Sequence, residues 1–267
     1  AVAFLSATQD IAIDAWRIET FTPAEQGAAL ASYVMGYRIA MLASGAGVIA
    51  GAGYIGWHAA LLAIAGLLGL GLLVTLAAPE PPQPASEPPP EGGLPARIRS
   101  AIGAPLADFL RRPGAWTVLA YVALFYLDVA LAGKMLAPLY RHLGFDPAAV
   151  ALAIGPFGLA ATMAGYAVGG LLVARLGMKW ALIATGFAQT AFMSMYVVLT
   201  LSPGDYTMLY ATSITESFVQ AMAVAAFVAY LSSLCALRFT ATQYALLTSV
   251  AALASHTVGG LSGFLAQ

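Results

Sequence analysis

Apolar stretches of about 20 residues recur along almost the whole of this chain, and that is the length an α-helix needs to cross the hydrocarbon core of a bilayer. They fall at 1–17, 27–54, 57–77, 115–140, 148–174, 180–200, 205–235 and 240–267. With no water in the bilayer, backbone polar groups must bond internally, so a chain of this pattern folds as a bundle of helices. The composition agrees. Only 9% of the 267 residues are charged, against about 25% in an ordinary soluble domain, and the mean hydropathy is +0.84. The expectation is an all-α polytopic membrane protein with about eight transmembrane helices. Stretches longer than 20 residues fit by tilting or by extending past the hydrocarbon. The boundary between the second and third stretches falls at Gly56, Trp57 and His58.

One segment breaks the pattern. The run APEPPQPASEPPPEGGLPARIRS, 78–100, is too rich in Pro, Glu and Ser to cross a membrane or pack a core. It reads as a linker outside the membrane, with APLADFLRRP (104–113) as a short interfacial helix. Three regions follow: 1–77, the end of a first bundle with about three helices; 78–113, the linker; and 114–267, most of a second bundle with about five. Alternating the spans puts Arg17, Arg97, Arg99, Arg111, Arg112, Arg175, Lys179 and Arg238 on one side and leaves Arg141 on the other. By the positive-inside rule the linker is cytoplasmic. A six-plus-six transporter plan would place further helices before residue 1 and after residue 267, so truncation at both ends is expected. The first residues, AVAFLSATQD, lack the positively charged start of a signal peptide.

Several function classes lose support. A net charge of −1 gives no case for nucleic acid. The lone Cys235 excludes an intrachain disulfide, and there is no Cys/His cluster, so neither a metal nor another cofactor is expected. GAGYIG at 51–56 has the G-x-G-x-x-G spacing, but it ends an apolar helical run without a βαβ unit, so nucleotide binding is rejected. With no G-x-S-x-G, H-E-x-x-H or P-loop the chain does not read as an enzyme. Small residues at Gly47/Gly51, Gly165/Gly169 and Gly259/Gly263 have the spacing that lets helices approach closely, and Gly155-Pro156 marks a kink.

Ionisable groups inside the apolar stretches are the candidate functional residues, because they are costly there and face a bundle interior. Asp10 and Asp14 lie one helical turn apart in LSATQDIAIDAWRIE. They read either as a proton-titrating or substrate-orienting pair, or as a structural pair bonded to Arg38, Gln9 or backbone. Asp10 is the better proton site; Asp14 lies near the cytoplasmic end. Arg38 either holds a substrate carboxylate or neutralises the aspartates, and Arg17 reads as an end pair with Glu19. Asp128 and Lys134 lie on roughly opposite faces of one helix, so each needs another partner. Glu216 lies in a polar band with Thr212, Ser213, Thr215, Ser217 and Gln220. Trp16, Tyr33 and Tyr37 are candidates for stacking on a sugar ring. His256 reads as a hydrogen-bonded interior residue, and His58 and His142 as loop residues.

These stretches resemble the muropeptide permease family of the major facilitator superfamily. LSATQDIAIDAWRIE is similar to that family's S-x-S-Q-D-I-x-x-D-A-W-K/R, and the segment from Glu25 to Gly45 to its G-Y-R…S-G pattern. AAFVAYLSSLCALRFTATQYALLTS, containing Gln243, is similar to F-V-A…L-C…F-S-A-T-Q-F-A-L-L-S, and RLGMK resembles the superfamily's short cytoplasmic loop. The resemblance implies a two-bundle fold truncated to helices four through eleven. It also implies proton-coupled import of N-acetylglucosamine–anhydro-N-acetylmuramic acid and its peptides from periplasm to cytoplasm across the bacterial inner membrane. Its polar positions fall on Asp10, Asp14, Arg38, Asp128 and Glu216. The chain departs from the pattern at Phe125, where the family has lysine, and at Ser255, where it has arginine. The first motif also resembles the related acetyl-coenzyme A transporters, which leaves an anionic metabolite as the alternative substrate. A membrane-embedded enzyme and a non-transporting sensor are the remaining rivals.

Overall fold

The structure, a computed structural model, describes residues 2–22, 25–80, 93 and 99–265. The Pro-rich part of the expected linker, with Arg97, lies outside the described residues. Eleven α-helices are described: α1 Val2–Thr20, α2 Gln26–Leu42, α3 Val48–Ala77, α4 Ala104–Leu110, α5 Ala115–Phe125, α6 Leu127–His142, α7 Pro147–Leu152, α8 Gly158–Leu176, α9 Met178–Thr200, α10 Tyr206–Leu234 and α11 Thr240–Leu265. Short π turns join α2 to α3 (Ala43–Gly47) and α7 to α8 (Ala153–Phe157). The second contains Pro156, which has no N–H to offer the ladder, so the expected kink takes the form of a widened turn.

The expected count of spans is corrected. Among the described residues four helices are long and apolar enough to cross a membrane: Gly51–Ala77, Pro147–Leu176, Met178–Thr200 and Tyr206–Leu234. Three of the other expected spans fall short for visible reasons. α1 carries Asp10, Asp14, Arg17 and Glu19 within 19 residues. α2 has 17 residues before its π turn. The stretch expected to run unbroken over 115–140 is divided at Tyr126 into helices of 11 and 16 residues.

Two chain reversals depend on glycine. Gly177, between α8 and α9, has φ 76° and ψ 162°. Gly56, inside α3, has φ 78° and ψ 157°, a region of backbone space open almost only to glycine. Trp16 Nε1 donates to the Pro79 carbonyl at 2.9 Å, and Arg17 donates to the Gln26 side chain at 2.6 Å. The chain from 26 to 79 therefore leaves the end of α1 and returns to it, with the reversal at Gly56, where the sequence placed it. Gly56→Val and Gly177→Val should each lose about 1–3 kcal/mol of stability, read as a lower thermal midpoint in detergent; unchanged midpoints would refute the reversal at that glycine.

The tightest packing is α8 on α10. A Cβ on Gly165 would lie 2.2 Å from the Phe218 carbonyl oxygen, and one on Gly169 would lie 2.5 Å from that of Met222. Only glycine permits this approach. Among the described residues Gly51 has no such neighbour and Gly47 meets only Leu42 of its own turn, so no helix crosses at that pair there. The side chains beyond residue 257, with Gly259 and Gly263, lie outside the described residues. One core joins α1, α4, α5, α10 and α11 through Ile18, Phe109, Val122, Phe227, Leu231, Tyr244 and Leu247. Phe125 stacks on Phe227 with ring centroids 3.8 Å apart and planes within 4°. A second cluster, Tyr140, Phe145, Ala153, Leu199 and Leu209, closes the opposite end beside Arg141.

Candidate functional site

The described polar side chains gather in four places. The first is the end where α1, α2, α10 and α11 meet. Arg17 is 2% exposed. Its guanidinium donates to Gln26 Oε1 at 2.6 Å and to both Asp14 Oδ1 and Ser232 Oγ at 3.4 Å, and it lies over the Tyr244 ring, 5.8 Å from its centroid. Gln26 Nε2 donates in turn to the carbonyls of Arg17, Ile18 and Phe21. This supplies partners to the orphan carbonyls that every helix C-terminus leaves. One buried cation thus ties the first two helices to the last two. The expected pairing of Arg17 with Glu19, and of Asp14 with Arg38, is replaced by the Arg17–Asp14 pair, which the i, i+3 spacing on α1 allows.

The second place is the linker end. Arg112 pairs with Asp108 at 2.5 Å and donates to the Leu234 carbonyl. Gln243, 1% exposed, donates to the Pro105 carbonyl and to Asp108, and accepts from the Ala236 N–H and Arg112. Its amide clamps α4 to the α10–α11 turn, with both its oxygen and its nitrogen engaged by protein. Hydrogen bonds from Gln243, then from Arg112, hold the Asp108 carboxyl below its ordinary range. The stabilisation is present above the ordinary carboxylate pKa and is lost as the pH falls through the lowered folded value. Protection of α4 from hydrogen exchange should therefore decay below about pH 4 and become pH-insensitive in Asp108→Asn. Decay that persists in that variant would refute the assignment.

The third place is the α2–α8 contact. Arg38 lies beside the Tyr166 hydroxyl, and its Nε is buried with no partner among the described residues. A buried guanidinium nitrogen left unpaired is costly and is suited to a carboxylate or phosphate. On the neighbouring part of α1, Gln9 and Asp10 are exposed and Asp14 is half-buried. Tyr33 of α2 lies within electrostatic range of both aspartates, and Tyr37 is exposed. Trp16 is committed to Pro79.

The fourth place lies within α6, α9 and α10. The Tyr196 hydroxyl donates to Glu216 Oε2 and also bonds Tyr140, whose hydroxyl is 3.5 Å from Ser213 Oγ. Thr212 Oγ1 is buried without a partner among the described residues. The side chains of Asp128 and Lys134 lie outside the described residues. His256, expected in the interior, is exposed. Sequence reading missed Tyr140 and Tyr196; the available signal was a tyrosine inside an apolar stretch, whose hydroxyl needs a partner when buried. No group of three or more His, Cys, Asp or Glu suited to a metal occurs among the described residues.

Long apolar helices, two of them paired across a close glycine contact, with charged side chains among them, define a polytopic helical membrane protein. The Major Facilitator Superfamily profile matches residues 1–266, and the chain belongs to that superfamily. Within it, the whole chain is 35% identical over 268 residues to the "Anhydromuropeptide permease" of Escherichia coli strain K12, covering 53% of that protein. It is also 35% identical over 266 residues to "Putative transporter AmpG 4" of Rickettsia conorii, covering 64% of it, and 34% identical over 267 residues to the Rickettsia felis protein of the same name, again covering 64%. The chain therefore spans about half to two thirds of the length of these relatives. It is homologous to the muropeptide permeases along its full length.

Proposed function

We propose that the protein carrying this chain imports peptidoglycan fragments, N-acetylglucosamine–anhydro-N-acetylmuramic acid and its peptides, from periplasm to cytoplasm by proton symport and alternating access. The observation that carries this reading is the 35% identity to the E. coli permease across the entire chain. The orphaned Arg38 Nε supports it, being a ready anchor for a carboxylate of the ligand. Asp10, Asp14, Asp128, Lys134 and Glu216 are the further candidates for proton coupling or ligand binding, with Gln9 and Tyr37. Gln243 fits a structural clamp better. The end bearing Arg17, Arg112, Arg175, Lys179 and Arg238 is assigned to the cytoplasm by its positive charge, and with it the linker. Expressed in cells that lack their own permease, the protein should restore uptake of labelled anhydro-muropeptide, and Arg38→Gln should raise the concentration needed for half-maximal uptake at least about tenfold, the worth of a charge-assisted bond. An unchanged requirement would remove Arg38 from the site.

A second reading, transport of another anionic metabolite such as acetyl-coenzyme A, is favoured by one feature. Phe125, where the resemblance expects lysine, is stacked in an aromatic cluster with Tyr121, Tyr126 and Phe227. A site without that cation has less charge to offer a multiply carboxylated peptide. Competition of uptake by acetyl-coenzyme A, but not by unlabelled muropeptide, would establish it.

A further inference from the structure

We propose that Tyr196, braced by Tyr140, is a positioning residue for Glu216: its hydroxyl holds the carboxylate in the proton-free state, and the carboxyl takes up its proton more readily once that bond breaks. The inference rests on the symport reading above. Its basis is a chain of side-chain hydrogen bonds drawn from three helices. Glu216 and Ser213 come from α10, Tyr196 from α9 and Tyr140 from α6. Surface hydroxyls of Ser and Thr on these helices bond the carbonyls of their own turn, as Thr190, Ser194 and Thr200 do. The Tyr196–Glu216 bond instead crosses between helices and ends on an acid.

The surroundings fix how the bond can act. Tyr140, Phe145, Leu199 and Leu209, each no more than 4% exposed, pack together at the Arg141 end. On the α9 side a small hollow lined by Gln189, Phe192, Met193, Val219 and Gln220 adjoins Glu216. Thr212 lies one turn from Glu216 on the same face of α10, and its buried hydroxyl has no partner among the described residues. It is placed to receive a neutral carboxyl that has let go of Tyr196. Tyr196 from α9 and Tyr140 from α6 lie at Glu216; from α8 and α2, Tyr166 and Arg38 engage each other. A hydroxyl donating to a carboxylate favours its charged form, so displacement of α9 against α10 converts directly into a change in proton affinity.

Dicyclohexylcarbodiimide tests this without any substrate. The apolar reagent takes the proton of a neutral carboxyl onto its nitrogen while the carboxylate oxygen adds to its central carbon, so labelling of Glu216, read by mass spectrometry of the full protein in liposomes, reports protonation. Labelling should fall as pH rises. In Tyr196→Phe the midpoint should move up by about one pH unit, the worth of one hydrogen bond to a charged group, and in Tyr140→Phe by less in the same direction. An unmoved midpoint in Tyr196→Phe, or a wild-type Glu216 that is labelled at no pH, overturns the proposal. Should Tyr196→Phe lose its thermal transition, Tyr140→Phe carries the test alone, and an unmoved midpoint there overturns the proposal equally. Absence of muropeptide uptake alongside a moved midpoint would instead defeat the symport reading and leave the positioning role standing.

Discussion

Replacing Gly165 or Gly169 with leucine is expected to abolish the folded bundle. Alanine at either position should cost about 1–3 kcal/mol. The physical reason is distance. A methyl group would stand 2.2 Å from the Phe218 carbonyl oxygen or 2.5 Å from that of Met222, with the Cβ atoms of Ala221 and Ala225 at 2.8 and 2.7 Å. The obstruction is backbone and short side chains, which cannot swing aside, so α8 and α10 must separate. Gly186 on α9 is the control. A Cβ there meets nothing within 4 Å, and alanine should be neutral or stabilising by about 0.5–1 kcal/mol through helix propensity. Thermal unfolding in detergent reads the difference. Equal midpoints for Gly165→Ala and Gly186→Ala would mean that the two helices do not meet as described.

The second large effect is expected at Arg17. Arg17→Ala removes the bonds to Gln26, Asp14 and Ser232 together and leaves Gln26 Oε1 buried and the half-buried Asp14 carboxylate unpaired. Breaking one partner of a buried pair typically costs 3–5 kcal/mol; with Asp14 partly exposed, about 3 kcal/mol is expected. Lysine keeps the charge but not the fork that reaches three partners, so Arg17→Lys should recover only part of the loss. Asp14→Asn should cost less than Arg17→Ala, because the contact is 3.4 Å long and Gln26 remains engaged. A loss below about 1 kcal/mol for Arg17→Ala, the range of an exposed ion pair, would show that the junction contributes little. Because Arg17 joins α1 and α2 to α10 and α11, chemical cross-linking between α1 and α10 should weaken in parallel.

How far the sequence foretold this depends on the kind of residue. Helix and reversal positions were legible, since apolar length and single glycines report local requirements; Gly56 and Gly177 are where patterning alone puts turns. Glycine spacing was legible only in part. Gly165/Gly169 and Gly47/Gly51 have the same pattern, but the pattern shows a smooth face and not whether another helix opposes it. The number of spans was overread, because the apolar stretch over 115–140 does not reveal the break at Tyr126. The polar residues were found but paired wrongly. Asp14 and Arg17 are neighbours on α1, yet the partners that bury them, Gln26, Ser232 and Tyr244, lie up to 227 positions away in sequence. Gln243 was singled out within a stretch that resembles the permease motif; its bonding partners come from α4, from the turn after it and from the turn preceding α11. The Tyr196–Glu216 bond requires the register of α9 against α10, which no local pattern encodes.

The central claim is proton-coupled import, and uptake by proteoliposomes containing the full protein tests it most directly. Labelled anhydro-muropeptide should accumulate above its external concentration when the lumen, which stands for the cytoplasm, is more alkaline than the outside. Accumulation should collapse when a protonophore removes the gradient. No uptake, or uptake that is indifferent to the gradient, would contradict the account.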